Sequence, residues 1–221
     1  VNLDKDIIKK GALSFGVDLL ALQLEQFSAY CDLIRSENDK YNITAITNPE
    51  EIATKHFIDS LAACLAINFT EIKSLVDIGS GPGLPGFAIK IAFSHIKLFA
   101  IESNGKKVRF LELLAQTLDL EDVNVLNIRA EDATRFYPDL KGSVDVATAR
   151  AVGDLPKLLD YASPILRKRG NLLLWKGRDE VTRLTSRTQI INRAGFELVN
   201  VYPYKIPLWQ IERFLIKLIK I

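Results

Sequence analysis

Methionine is absent from the 221-residue chain, and cysteine occurs only twice, at Cys31 and Cys64. The missing methionine excludes no function. Two cysteines 33 positions apart are too few for a disulfide framework and lack the paired spacing of a CxxC metal site, so a reducing, cytoplasmic setting is expected. No stretch approaches the ~20 apolar residues that cross a bilayer. The opening residues carry Asp4, Lys5, Asp6, Lys9 and Lys10 where a secretory signal has its apolar core. Internal repeats and low-complexity tracts are missing as well, which removes fibrous and disordered classes. What remains, with 48% hydrophobic and 25% charged residues, is a globular chain of one large domain, or one domain with a small extension.

The formal net charge of +2 conceals an asymmetry. Residues 1–165 hold 17 Lys and Arg against 23 Asp and Glu, a net of −6. Residues 166–193 carry Arg167, Lys168, Arg169, Lys176, Arg178, Arg183, Arg187 and Arg193 against Asp179 and Glu180, a net of +6. Two readings of that stretch stay open: a face for a polyanion, or an ordinary solvated helix face.

From Asp18 to Asn38, apolar Leu20, Leu24, Phe27, Cys31 and Ile34 recur at three- and four-residue steps, the stripe of an amphipathic helix. Asn48 before Pro49, Glu50 and Glu51 reads as a cap, a first-turn proline and dipole-matched acids, opening a second helix to about Ile67. Two helices therefore precede the rest. Beyond them, short β-rich runs alternate with helical stretches, as βαβ units do. Strands are expected at Ser74–Ile78, Lys97–Ile101, Asn124–Ile128, Asp145–Ala149, Asn171–Trp175, Leu198–Tyr202 and Glu212–Ile219. Helices fit at Pro85–Phe93, Lys106–Leu118, Leu155–Leu166 and Glu180–Ala194. The sheet is expected to be mainly parallel. Only the last join is too short for a helix, with Pro203 and Pro207 punctuating a loop, so the final strand should return antiparallel. The expected organisation is a helical N-terminal extension over residues 1–70 and an α/β domain over 71–221.

Asp77-Ile78-Gly79-Ser80-Gly81-Pro82-Gly83-Leu84-Pro85-Gly86 follows the first strand and opens a helix, where ligands approach the carboxyl ends of parallel strands. A dinucleotide fingerprint needs glycine where Leu84 stands, and the GK[ST] of a phosphate-binding P-loop is absent. The pattern is DxGxGxG, suited to a ligand whose charged amino-acid end lies over the turn; a purely structural turn is the alternative. The second strand ends in Glu102, 25 positions after Asp77, where a carboxylate can accept from both hydroxyls of a ribose or simply cap a helix. Arg129-Ala130-Glu131-Asp132 after the third strand is placed to border an adenine ring through the backbone at Ala130 and Glu131.

Taken with Asn38-x-x-x-Asn42-Ile43-Thr44-Ala45-Ile46-Thr47, Lys55-His56-Phe57-x-Asp59-Ser60-Leu61, Thr148-Ala149-Arg150-Ala151-Val152 and Trp175-Lys176-Gly177, these segments resemble a class I S-adenosylmethionine-dependent methyltransferase. More narrowly, the chain resembles the ribosomal RNA small subunit methyltransferase G family, also called GidB. It departs at Glu37, where an aromatic often precedes the Asn38 motif. The resemblance implies a Rossmann-like α/β fold with a seven-stranded, mainly parallel sheet, and a reaction at N7 of guanine-527 in the 530 loop of 16S ribosomal RNA. It also implies S-adenosyl-L-methionine as cofactor. Carried over by motif, Gly79 and Leu84 line the methionine end, Glu102 the ribose, Ala130 and Glu131 the adenine, and Arg150 both cofactor and reaction cleft, with Gly81 also on the cofactor side. Asn42, His56, Lys176, Arg183 and Arg187 are candidates for the substrate side. The expected partner is 16S rRNA or the small ribosomal subunit, with no membrane, no metal and a monomeric enzyme.

Guanine N7 offers an in-plane lone pair, so attack on a sulfonium methyl needs no base and no covalent intermediate, and positioning should dominate. The sequence lacks an Asn/Asp-Pro-Pro-aromatic motif for exocyclic amines and a Pro-Cys nucleophile for pyrimidine carbon. Arg150 is the leading catalytic candidate, as a donor rather than a base. It could hold cofactor, pair with Glu102 or another acid, or read guanine O6. His56 is a substrate-side group or packing, and Trp175 reads as core. Rival readings are the same fold acting on a small molecule or protein, a non-catalytic ribosome assembly factor with a cofactor pocket, and a nicotinamide oxidoreductase, which Leu84 disfavours.

Overall fold

The computed structural model describes residues 3–150, 153–185, 187–206, 209 and 211–221. Seven strands form one sheet: β1 (Ser74–Ile78), β2 (Lys97–Glu102), β3 (Val123–Asn127), β4 (Val144–Arg150), β5 (Leu166–Lys176), β6 (Phe196–Ile206) and β7 (Ile211–Lys220). Their order is β3-β2-β1-β4-β5-β7-β6. The first five pair in parallel. β7 inserts antiparallel between β5 and β6, as the short final join requires. The order reverses direction beside β1, so the carboxyl ends of β1 and β4 flank the crevice where α/β sheets bind ligands.

Residues alternate between the two faces of the sheet, and each face has its own core. Leu75, Val146, Leu173 and Leu215 pack with Phe27, Tyr30, Phe57, Phe87 and Phe110. These aromatics come from α2 (Ala21–Tyr41), a helical run beginning at α3 (Pro49–Glu51), α5 (Gly86–Ala92) and α6 (Gly105–Thr117). Phe57 lies 5.0 Å from Phe27 and 4.9 Å from Tyr30, ring centre to ring centre. Its truncation to alanine would cost about 3–5 kcal/mol. On the other face Val76, Ala147, Leu172, Leu174 and Leu218 meet Leu158, Ala162, Leu184 and Ile191. Those come from α8 (Leu155–Ile165), α9 (Arg178–Thr185) and α10 (Thr188–Arg193), with the short α7 (Ala133–Phe136) beside them. The amino-terminal helices thus share one apolar cluster with α5, α6 and the sheet.

Several expectations need correction. A helix α1 (Lys5–Leu13) precedes the two read from the sequence; it buries only Ile8, Gly11 and Ala12, too short a stripe to register as periodicity. The second helix is capped by Asn48, whose side chain accepts from the Glu50 and Glu51 amides at 2.9 and 3.2 Å, but it does not run on as one α-helix. A π-helical turn (Ile52–Ile58) leads into α4 (Asp59–Leu61) and a 3-10 turn (Ala62–Leu65). The helix expected over Glu180–Ala194 is two, α9 and α10. Pro203 lies inside β6 rather than in a loop; β6 is the sheet's edge, the place in a sheet where proline is tolerated. Pro207, and Ala151 and Val152 of the motif after β4, fall outside the described residues. The basic stretch is not one face either. β5 begins at Leu166, five residues earlier than expected. Arg167, Lys168 and Arg169 therefore sit at the amino end of the sheet, where Arg167 Nε donates to Asp145 at 2.6 Å.

Candidate active site

The turn after β1 is held from beneath by Asp77, which is fully buried. Its carboxylate accepts from Ser80 Oγ, from Thr148 Oγ1 at 2.8 Å and from the Gly86 amide at 3.1 Å. Burial pushes its pKa up despite these donors. Gly79, Gly81 and Gly83 have φ of 69°, 55° and 90°, conformations that side-chain-bearing residues rarely adopt. Gly86 carries no Cβ because one would stand 2.9 Å from Asp77 Oδ2. From above, the buried Tyr30 of α2 donates its hydroxyl to the Pro82 carbonyl. Asp77 and Tyr30 therefore fix the turn from within the protein.

Each N–H of this turn has a partner. Gly79 and Ser80 donate to Ile101 O at 2.9 Å, Gly83 and Leu84 to Ser80 O at 2.8 and 3.1 Å, Gly81 to Glu102 Oε2 at 2.9 Å, and Gly86 to Asp77. Pro82 and Pro85 have none to give. A phosphate nest works by free amides converging on an anion. Here the glycines supply closeness of approach while the turn's donors are already engaged, which argues against a dinucleotide or nucleoside triphosphate.

A cleft of about 320 Å³ opens beside the turn. Gly79, Glu102, Ala130 and Glu131 all line it, with Ser103 and Tyr161. Glu102 is 9% exposed, and its two oxygens hold the Gly81 amide and the Asn104 amide, the latter at 2.8 Å. A carboxylate has about four acceptor sites, so the anchored group retains capacity for ligand hydroxyls. Gly81 does not line the cleft and meets it through its hydrogen bond to Glu102. Leu84, at 2% exposure, belongs to the core, and Arg150 does not line this cleft.

Arg150 instead ends β4 in a second cleft of about 310 Å³ with Lys55, His56, Asp59, Lys176 and Arg213. Its Nη1 donates to Asp59 Oδ2 at 3.1 Å and to Lys55 O at 3.3 Å, and its Nη2 approaches His56 Nδ1 at 3.4 Å. The acid paired with Arg150 is thus Asp59, not Glu102. Asp59 also accepts from Tyr204 Oη, and its carbonyl takes the Trp175 indole N–H at 2.8 Å. Burial, reinforced by the Arg150 charge, pushes the His56 pKa down to about 3. His56 is therefore neutral at pH 7 and shares a 3.0 Å hydrogen bond with Thr44 Oγ1 through Nε2. It sits on the π-helical turn, a distortion frequent at functional sites.

Lys176 also lines an adjoining cleft of about 250 Å³ with Arg183, Arg187 and Glu180. Lys176 pairs with Glu180 at 2.9 Å and Arg187 with Asp154 at 3.6 Å. The fold thus gathers His56, Arg150, Lys176, Arg183 and Arg187 around neighbouring openings. Asn42 stands apart: as the left-handed cap of α2 (φ 48°) it faces Lys106, Lys107 and Arg109 at the start of α6. Four residues escaped assignment from the sequence. Asp59 lay within a quoted motif, three positions after His56. Tyr30 was hidden among the apolar stripe, and Tyr204 and Arg213 come together only across the β6–β7 pairing.

Among the described residues, no group of three or more His, Cys, Asp or Glu forms a metal site, and no helix is long and apolar enough to cross a membrane. A family model described as rRNA small subunit methyltransferase G matches residues 23–207. The chain is 34% identical over 211 residues to the ribosomal RNA small subunit methyltransferase G of Bacillus subtilis (strain 168), covering 96% of this chain and 88% of that one. It is 39% identical over 202 residues to the protein of the same name from Roseiflexus sp. (strain RS-1), covering 91% and 86%. In three dimensions it is similar to a SAM dependent methyltransferase from Aquifex aeolicus, with a TM-score of 0.59 at 18% identity, over 79% of this chain and 94% of that chain.

Proposed function

The chain belongs to the rRNA small subunit methyltransferase G family, and from that premise we propose that it transfers the methyl group of S-adenosylmethionine to N7 of one guanine in 16S ribosomal RNA. The observation that carries the reading beyond family membership is the glycine turn, whose amides are engaged while the Glu102 carboxylate stands beside it in a cleft of ligand size. That combination suits a nucleoside bearing a cationic amino-acid tail and no phosphate. Glu102 accepts from the ribose hydroxyls, the backbone of Ala130 and Glu131 borders the adenine, and Gly79 lies against the methionine end. Gly81 and Leu84 act indirectly, as the spacer that holds Glu102 and as packing under the turn.

When bound, S-adenosylmethionine supplies an electrophilic methyl on a sulfonium. Transfer of that methyl to the N7 lone pair would leave a neutral thioether and release no proton, so no side chain need act as a base. The protein's task is therefore orientation and charge placement. Arg150, fixed by Asp59, Lys55 O and neutral His56, is the positioning group of the substrate cleft. The helical extension over residues 1–70 supplies one wall of that cleft through Lys55, His56 and Asp59, and the catalytic unit over 71–221 supplies the other. The Lys176, Arg183 and Arg187 opening takes flanking RNA phosphates, with Asn42 in a separate basic cleft. A monomer in the cytoplasm that needs no metal completes the reading.

Transfer of labelled methyl to unmodified small ribosomal subunits and to naked 16S RNA, followed by nucleoside analysis, tests it. Label in 7-methylguanosine is expected; label elsewhere, or none despite cofactor binding, overturns it. Neutralising Arg183 and Arg187 together should weaken RNA binding and flatten its dependence on salt, and unchanged binding at two salt concentrations would remove that surface.

A further inference from the structure

Four cations line the Arg150 cleft: Lys55, Arg150, Lys176 and Arg213. Three have a carboxylate of their own, Lys55 with Glu51, Arg150 with Asp59 and Lys176 with Glu180. Arg213, on β7, forms no such pair among the described residues. Its Nε is buried and has no hydrogen-bond partner among them. A buried donor without an acceptor is costly, and native folds seldom keep one unless something completes it. Arg213 sits opposite Tyr204 in the β6–β7 ladder, beside the Asp59 hub that anchors Arg150.

We propose that Arg213 is a substrate-contacting residue, whose guanidinium takes a phosphodiester oxygen of the target nucleotide in the Arg150 cleft. The assignment rests on the rRNA methyltransferase reading and deepens it. Two considerations select a phosphate over the base. The cleft's lining carries an excess of cations over the two carboxylates, Asp59 and Glu180, as an anion site requires. Arginine ordinarily reads guanine by a bidentate pair to O6 and N7, which would occupy the lone pair that has to attack. A guanidinium in this cleft therefore serves the reaction by holding the backbone and leaving the Hoogsteen edge free. Such contacts place the nucleotide and are made equally before and during methyl transfer, so they act on KM.

The test compares wild type, R213Q and R213K on unmodified small ribosomal subunits, with cofactor affinity measured separately by calorimetry. R213Q should raise KM for the particle about ten- to hundred-fold, the range of a charge-assisted hydrogen bond. Cofactor affinity and kcat should stay near wild type, and the slope of log KM against log salt should become shallower by about 0.7. R213K keeps the charge but not the Nε donor, so it should retain the salt slope with an intermediate KM. Wild-type KM and slope in folded R213Q would overturn the proposal. So would a raised KM with an unchanged slope, which places Arg213 on the base. If R213Q does not fold, R213K decides: wild-type KM in that variant refutes the Nε contact. Absence of methyl transfer by the wild-type enzyme would instead refute the underlying function.

Discussion

Asp59→Asn tests the architecture of the Arg150 cleft most directly. The native carboxylate is 4% exposed and is shared between Tyr204 Oη and Arg150 Nη1, the latter at 3.1 Å. Arg150's side chain is 16% exposed, so both charges have given up most of their hydration. The amide keeps the shape and one acceptor but removes the negative charge, leaving the guanidinium beside neutral His56 with only carbonyl oxygen for compensation. Removing one partner of a buried pair typically costs about 3–5 kcal/mol. A chain of this size loses about 2–4 °C of Tm per kcal/mol, so the expected drop is roughly 6–20 °C. Differential scanning calorimetry of wild type, D59N, R150Q and D59N/R150Q measures it. The double variant should lose less than the two singles together, because neither charge is then stranded. Methyl transfer should fall in D59N while cofactor affinity changes little, since neither residue lines the Glu102 cleft. A D59N protein melting within 1 °C of wild type, a deliberately tight margin beside the few degrees per kcal/mol expected at this size, with full activity would refute the claim that Asp59 holds Arg150.

Two further outcomes follow from single contacts. The folded pKa of His56, about 3, lies below its unfolded value of about 6.5, so the unfolded chain binds the extra proton first. Its contribution to stability is present above about pH 6.5 and is lost as pH falls toward 3; urea unfolding of His56→Gln across that window should show a shallower acid limb than wild type, and an identical limb would contradict the buried neutral imidazole. Gly86→Ala would press a methyl to 2.8 Å from Asp77 Cβ, an overpacking cost of about 1–3 kcal/mol. Chemical denaturation should show that loss together with weaker cofactor binding, and wild-type values for both would show that the turn can relax.

The glycine turn and the cleft beside Glu102 were legible because their information is local. Glycines at set spacing after a β-rich run, an acid at the end of the next strand and a polar turn after the third each occupy a short window, and parallel pairing of β1, β2 and β3 places them side by side. The Arg150 cleft was legible only in part. Arg150 and Lys176 stood out as polar residues just past strand ends and His56 as a lone histidine within a helix, but which acid would pair with Arg150 depended on contacts 91 residues apart along the chain.

Residue pattern by itself determined the alternation of strands and helices, the parallel core with an antiparallel last strand, and the glycine turn with Glu102 beside it. These follow from period, spacing and the shortness of the last connection. Tertiary structure alone decided that the turn's amides are engaged, that Leu84 is packing, that Asp59 joins Arg150 to Tyr204, and that Arg213 is left with a buried donor that has no acceptor among the described residues. The reason is physical: a motif fixes a local backbone, whereas the partner of a buried charge is set by whichever distant segment the packing brings against it.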